Sequence, residues 1–203
     1  MRNTVRTISA AAALSALLVA GCGGNDEEQT SPAPPTPPAT TAPAEPSTQC
    51  GPLDGGGTKA RTSEPGAEIA LLTDVSFEAA DCVDRITFDF REDLRAAPGY
   101  TVEYRPADQA LVEDGSGNRI ELEGDAYLVV RFEPAATGDL SGEELVITYD
   151  GPRRFETDGQ YVREVVKGGD FEAVLTWVIG VSEQRPFRVV ESSSPPRLVV
   201  EVG

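Results

Sequence analysis

Histidine is absent from the 203-residue sequence, which also holds only three cysteines and one methionine. Histidine is the commonest protein ligand for metals and the usual general base near neutral pH. Its absence excludes the ordinary zinc sites, histidine-based proton transfer and the Ser–His or Cys–His pairs of nucleophilic catalysis. The sequence therefore argues against most hydrolase chemistry, and it points to neither a cofactor nor a metal site.

Positive charge is also scarce, since 17 Lys and Arg residues stand against 34 Asp and Glu residues. Removal of Arg2 and Arg6 with an export signal would change the formal net charge from −17 to −19. Phosphate backbones require basic surfaces, so nucleic acid is not an expected partner, and an anionic membrane surface is disfavoured for the same reason. The acid excess is typical of a surface that keeps a domain soluble.

The longest apolar run, residues 8–20, follows Arg2 and Arg6 and is too short to cross a bilayer. It ends in Leu18-Val19-Ala20-Gly21-Cys22, which resembles the lipobox of bacterial lipoproteins. The resemblance implies a signal peptide over residues 1–21, lipidation of Cys22 and an extracytoplasmic domain anchored to the cell membrane. Two fatty chains on Cys22 would anchor the protein firmly in the membrane, because each methylene group buried in the lipid contributes about 0.8 kcal/mol. The alternative is an ordinary secretory signal that contains a cysteine.

A spacer follows the lipobox, because residues 30–48 contain only Thr, Ser, Pro, Ala and one Glu. This composition favours extended polyproline geometry and cannot bury apolar surface. A glycine-rich piece, residues 51–66, continues the pattern. The prediction is a disordered tether over residues 22–66, of which residues 23–48 would reach up to about 80 Å and enter the cell wall.

Two cysteines remain if Cys22 carries lipid. An even pair in an oxidising compartment indicates a disulfide between Cys50 and Cys82. Closing a loop of about 30 residues would stabilise the fold by roughly 3 kcal/mol on the chain-entropy account. Two free thiols are the alternative.

Residues 67–203 show short alternating apolar runs and no helical period, which predicts an all-β domain. Nine or ten short strands in about 137 residues indicate a β-sandwich of two mainly antiparallel sheets. Apolar residues on both faces of residues 173–181 predict a central strand, and Asp114 and Gly115 predict a hairpin turn within residues 112–120. The inward-facing residues are predicted to include Leu71, Val75, Phe77, Ile86, Phe88, Phe90, Leu128, Val130, Phe132, Leu145, Ile147, Tyr149, Leu175, Trp177, Ile179, Val181, Phe187, Val189, Leu198, Val200 and Val202.

Two segments of this domain carry a family resemblance. Residues 84–90, DRITFDF, resemble the Arg-hydrophobic-x-hydrophobic-Asp strand near the start of AMIN domains, and residues 195–202, PPRLVVEV, resemble their closing strand. The chain is similar to AMIN-like lipoproteins of high-GC Gram-positive bacteria, in which a signal, a Pro/Thr tether and one such domain recur. The resemblance implies a two-sheet sandwich without catalytic activity that places envelope proteins by contacting peptidoglycan.

Arg153 and Arg154 are the most site-like residues of the acidic domain. A pair of guanidinium groups suits bidentate contacts with the carboxylates of a peptidoglycan stem peptide, whereas pairing with the chain's own surface acids is the simpler reading. Trp177 could stack on a sugar ring, but its position in the alternating pattern of its strand favours burial in the core. The tyrosines at positions 100, 104, 127 and 161 are candidates for a binding rim, although burial is favoured for each.

A weak resemblance to a calcium-binding loop involves Asp114, Ser116, Asn118 and Asp125. The position at which such a loop requires glycine for its sharp bend holds another residue, so a simple turn is favoured. The leading hypothesis is a non-catalytic, membrane-anchored lipoprotein that binds an envelope component, in the first place peptidoglycan. The alternative is an adaptor that recruits a secreted envelope enzyme or assembly factor through exposed edge strands. An enzyme based on carboxylates is the third hypothesis.

Overall fold

The computed structural model describes residues 50–94, 98–106 and 109–203. The signal peptide predicted for residues 1–21, the lipidation predicted for Cys22 and the tether up to residue 49 lie outside these ranges. Within them the regular secondary structure is all β, which confirms the predicted fold class. No helix in these ranges is long and apolar enough to span a bilayer.

Two larger sheets and one small hairpin make up the domain. Six strands form the first sheet, in the spatial order β1 (Arg61–Thr62), β4 (Tyr100–Arg105), β5 (Ala126–Phe132), β11 (Val174–Val181), β10 (Val162–Phe171) and β9 (Arg154–Glu156). Five form the second, in the order β12 (Phe187–Ser193), β13 (Pro196–Val202), β3 (Val83–Phe90), β2 (Ala70–Ala80) and β6 (Ala135–Ala136). The separate hairpin pairs β7 (Gly138–Asp139) with β8 (Val146–Ile147).

The main core lies between the two sheets, because alternate residues of each strand point to the same face. Phe88 of β3 packs edge-on against Phe132 of β5, with ring centroids 5.1 Å apart, and lies 6.0 Å from Trp177 of β11. These contacts cross from one sheet to the other, so the sheets form the predicted sandwich. Trp177 is fully buried, which confirms that it is a core residue.

Strand β11 is central, with β5 on one side and β10 on the other, as its two apolar faces predicted. Its outer face packs in a second apolar cluster that contains Val178, Val129 and Val166. Leu111 and Ile120 cover this cluster from the segment between β4 and β5. That segment contains the expected hairpin, in which Val112 pairs with Arg119 and Gly115 has a positive φ of 84°.

Three expectations from the sequence differ from the structure. The described residues form thirteen strands, not nine or ten, because several strands are only two residues long. Leu145 and Ile147 were predicted to face the core, but they are 55% and 57% exposed because β8 pairs only with the short β7. The predicted tether, residues 22–66, also overlaps the folded domain at its end. Gly57 pairs with Phe187, and Arg61–Thr62 pairs with β4, because backbone groups in a glycine-rich stretch can still complete a sheet edge.

The predicted disulfide joins Cys50 to Cys82, with 5.3 Å between their Cα atoms. Cys82 lies in the turn between β2 and β3, so the bond attaches the start of the described chain to one end of this strand pair. Ile69 and Arg91 lie just beyond the opposite end, where Leu72 pairs with Phe90. The two ends are separated by the length of β2, roughly 33 Å at strand rise.

A buried carboxylate fastens the loop before β10 to the start of β3. Asp84 has no exposed surface, and its Oδ2 accepts hydrogen bonds from the backbone N–H groups of Tyr161 and Val162 at 2.6 and 2.8 Å. Its Oδ1 accepts a third from Gln160 at 3.2 Å. Gly159 packs so closely that an added Cβ would lie 2.4 Å from Oδ2. Asp84 therefore links β3 of one sheet to the entry of β10 in the other.

Candidate functional site

A cleft of about 790 Å³ opens at the end of the sandwich remote from the disulfide. It lies where β2 begins and is bordered by β6, the β7–β8 hairpin and the turn that joins β10 to β11. This volume is within the usual range for ligand-binding sites. We call this feature the end cleft, and its lining includes Ile69, Leu71, Arg91, Thr137, Asp139, Leu140, Leu145, Ile147, Asp170, Glu172 and Ala173.

Apolar side chains form the walls of the end cleft and remain open to solvent. On the β7–β8 hairpin, Leu140 is 76% exposed, and Leu145 and Ile147 are also exposed. Ile69, just before β2, is 54% exposed. The side chain of Leu145 lies against Gly138, where an added Cβ would come within 2.7 Å of it. Contiguous apolar surface of this kind marks interaction sites in soluble proteins.

A hydrogen-bonded network of polar groups supports the apolar walls. Asp170 Oδ2 accepts hydrogen bonds from both the backbone N–H and the hydroxyl of Thr137. Lys167 Nζ donates to Thr137 Oγ1 at 2.8 Å and to Asp170 Oδ2 at 3.3 Å. Burial lowers the pKa of Lys167, and the neighbouring Asp170 partly offsets that effect. The network holds β6 against the end of β10.

An ion pair connects the end of β3 to the β7–β8 hairpin. Arg91 binds the carboxylates of Asp139 and Asp93, and Asp139 also accepts the backbone N–H of Ser141 at 2.8 Å. Hydrogen bonds from Ser141 and Arg91 lower the pKa of Asp139 to about 2. The Asp139 carboxylate is therefore ionised at neutral pH and keeps Arg91 occupied within the chain.

A two-residue turn with unusual backbone geometry closes one side of the end cleft. Glu172 and Ala173 connect β10 to β11 with φ of 52° and 59°, in the left-handed region that costs a residue with a Cβ about 1–2 kcal/mol. Asn-Gly is the preferred sequence for such hairpin turns. The Ala173 carbonyl nevertheless accepts a hydrogen bond from Ala135 N at 2.8 Å, which attaches the turn to β6.

The predicted pair Arg153 and Arg154 does not line the end cleft and lies at the β9 edge, where the Arg153 carbonyl accepts a hydrogen bond from Lys167 N at 2.7 Å. Arg154 binds the buried carboxylate of Glu164 and donates to the backbone carbonyl of Glu121 at 2.6 Å. The Arg153 side chain is 65% exposed and lies 3.3 Å from Glu113. Both guanidinium groups thus contact the chain's own acids. Arg153 pairs near the surface, as the simpler reading expected, whereas the partner of Arg154 is buried. Binding of a ligand carboxylate at this pair remains a prediction.

The comparison with protein families decides the assignment. The profile of the AMIN-like domain matches residues 70–203. The chain belongs to the AMIN-like family. A search of curated proteins and a search of solved structures each returned no match.

The two motifs that carried the resemblance are neighbours in the AMIN-like domain. Strand β13 pairs with β3 over six residues, from Arg197 opposite Asp89 to Val202 opposite Asp84. The resembling segments therefore form the middle of the second sheet. They build the core of the AMIN-like domain and do not line the end cleft.

The remaining candidates from the sequence, the four tyrosines and Asp114, pack or hydrogen-bond within the domain. Tyr100 and Tyr161 are buried, whereas Tyr104 and Tyr127 are partly buried. The Asp114 carboxylate accepts a hydrogen bond from the Thr176 hydroxyl, so it faces the sheet. In the described part of the AMIN-like domain, no three His, Cys, Asp or Glu side chains come together as a metal site.

Sequence reasoning missed the end cleft because alternation placed Leu145 and Ile147 in the core. A warning was present in the sequence, since Leu145, Val146 and Ile147 are consecutive and cannot all face one side of a strand. The acidic pair Glu143 and Glu144 precedes them. Such a run next to charges is typical of an exposed loop as much as of a buried strand.

We expect replacement of the strained turn to stabilise the AMIN-like domain. The double variant Glu172→Asn/Ala173→Gly should raise the free energy of unfolding by about 1 kcal/mol, because Asn and Gly tolerate positive φ. Chemical denaturation measures the change. Ala136→Gly in β6 is the control and should lower stability by about 0.5–1 kcal/mol. Equal losses in both variants would contradict strain at the turn.

Proposed function

We propose that this protein is a non-catalytic lipoprotein, anchored outside the cell by lipid on Cys22, whose AMIN-like domain binds peptidoglycan. The observation that carries the proposal is the family match over residues 70–203, because the resemblance to AMIN domains implies contact with the cell wall. The lipobox at residues 18–22 supports the anchor.

Two of the acids that line the end cleft have structural roles, which favours binding over turnover by these two groups. Asp139 accepts hydrogen bonds from Arg91 and Ser141, and Asp170 accepts them from Thr137 and Lys167. Carboxylates held by the chain's own donors serve as structural acceptors, whereas general acid and base catalysis requires a carboxyl group within reach of the reacting proton.

Arg153 is the residue proposed to contact stem-peptide carboxylates. Its side chain is more exposed than that of Arg154, at 65% against 49%. Arg153 also pairs with Glu113, which is 31% exposed, whereas Arg154 binds Glu164, which is 5% exposed. Exposed ion pairs are worth at most about 1 kcal/mol, so a ligand carboxylate can displace Glu113 at small cost.

Sedimentation of the full chain with insoluble peptidoglycan tests the proposal. We expect the protein to be enriched in the pellet over an acidic control protein of similar size. Arg153→Ala should reduce the bound fraction several-fold, whereas Lys59→Ala, which removes another exposed cation, should leave it unchanged. A pellet without enrichment would reject wall binding. Equal binding by the parent, Arg153→Ala and Lys59→Ala would reject the role of Arg153 but not wall binding itself.

A second candidate function is that of an adaptor for a secreted envelope enzyme or assembly factor. The observation that favours it is the exposed apolar surface of Leu140, Leu145 and Ile147. Glycan chains are strongly hydrated, and apolar patches of this kind are more typical of protein interfaces. Crosslinking in intact cells should then return a protein partner, and recovery of wall fragments alone would reject the adaptor.

A further inference from the structure

We infer that the end cleft is a docking site for a polypeptide segment that carries large apolar side chains together with Lys or Arg. This inference deepens the second candidate function and names the surface and the chemistry of its partner. It does not depend on wall binding, because Arg153 and Arg154 do not line the end cleft.

The apolar component follows from the walls of the end cleft. Ile69, Leu140 and Leu145 are each more than half exposed around a cleft of about 790 Å³. Partner side chains that enter this space would remove apolar surface from water on both sides, which is the main favourable contribution to association. A hydrated polysaccharide would leave that surface wet.

The basic component follows from the charge around the end cleft. Glu143 and Glu144 lie in the loop that joins β7 to β8, and Glu172 lies in the opposite turn. All three are exposed. The nearby cations are already paired within the chain. Arg91 binds Asp139 and Asp93, and Lys167 is buried against Asp170. Arg153, which lies next to Lys167, pairs with Glu113. A segment with Lys or Arg beside its apolar residues matches this surface.

Other occupants match less well. A second copy of the chain would bring the same acidic residues against Glu143, Glu144 and Glu172. The chain's own residues 23–49 contain four acids, no Lys or Arg, and no apolar side chain larger than Pro. An anionic lipid surface would be repelled by the same acids. A basic, apolar segment of another protein therefore complements the end cleft best.

Part of the end cleft is organised before any partner binds. The network of Thr137, Lys167 and Asp170 holds its floor, and the ion pair of Arg91 with Asp139 holds the hairpin. A surface held in position needs less ordering on association, which increases affinity.

Selection from a displayed library of random 12-residue peptides tests the inference on the full chain, purified in detergent. Peptides that also bind the Leu145→Asp protein are removed first. The retained peptides are expected to be enriched in net positive charge and to carry at least two large apolar residues. No enrichment, or enrichment of neutral or acidic peptides, would overturn the inference.

Titration of one selected peptide into variants supplies the matched controls. Leu145→Asp and, independently, Leu140→Asp should each weaken binding at least tenfold, and Glu143→Gln/Glu144→Gln should weaken it several-fold. Val190→Asp places the same charge at a 44% exposed apolar residue of β12 and should leave the affinity unchanged. Thermal unfolding verifies that each variant is folded. Equal affinity for Leu145→Asp, Leu140→Asp and Val190→Asp would overturn the site.

Wall binding is measured in parallel, so that failure of the docking proposal can be distinguished from failure of the proposed wall binding. Leu145→Asp should sediment with peptidoglycan as the parent does while losing the peptide. If soluble wall fragments displace the peptide and Leu145→Asp also loses wall binding, the end cleft is the wall site. That result would overturn the polypeptide occupant and leave the proposed wall binding intact.

Discussion

Asp84→Ala should lower the free energy of unfolding by about 4 kcal/mol. The carboxylate is fully buried and accepts hydrogen bonds from the backbone N–H groups of Gln160, Tyr161 and Val162. An unsatisfied buried donor costs about 1–3 kcal/mol, and at least two of these donors would lose their acceptor away from water. Denaturant unfolding of the parent and the variant measures the difference.

The control for Asp84→Ala is Asp158→Ala, which removes an exposed carboxylate from the same loop. We expect a change of less than about 0.5 kcal/mol, as for most surface substitutions. Asp84→Asn keeps one acceptor oxygen and should fall between the two. If Asp84→Ala and Asp158→Ala had the same stability, the buried carboxylate would not be what joins the sheets.

Cys50→Ala/Cys82→Ala should lower the free energy of unfolding by about 3.5 kcal/mol. The bond closes a sequence separation of 32 residues, and a loop of this size restricts the unfolded chain by about that amount on the chain-entropy account. Urea denaturation of the parent and the double variant measures the loss.

A reductant distinguishes the disulfide from packing at the two positions. Reduction should shift the unfolding midpoint of the parent toward that of Cys50→Ala/Cys82→Ala, and it should leave the double variant unchanged. A parent that unfolds at the same denaturant concentration with and without reductant would contradict a stabilising bond.

The sandwich was predictable because its core strands alternate in the sequence. Ile86, Phe88 and Phe90 share one face of β3, and all three are buried. Strand β11 was predictable as central because both of its faces are apolar. Burial of alternate residues is a local property of a strand, so the sequence carries it without knowledge of the strand order.

The end cleft was not predictable, because its residues come from four separate parts of the chain. Leu145 follows the strand pattern, but a short hairpin that pairs only with itself leaves it exposed. The role of Asp84 was hidden for a related reason. Alternation places Asp84 on the same face as Ile86, Phe88 and Phe90, but its three donors lie about 77 residues away in the sequence, so nothing local indicates which groups satisfy the buried charge.

The positions of the disulfide and the end cleft bear on how the domain would respond to mechanical load. Tension between a membrane anchor and a partner in the end cleft would pull on opposite ends of β2 and β3. Because Cys82 lies in the turn that joins the two strands, this force would run along their covalent backbone, and the hydrogen bonds between them, which are perpendicular to the strands, would not be unzipped one at a time. A lipoprotein tethered in this way would withstand stretching of the envelope better than one pulled from adjacent strand ends.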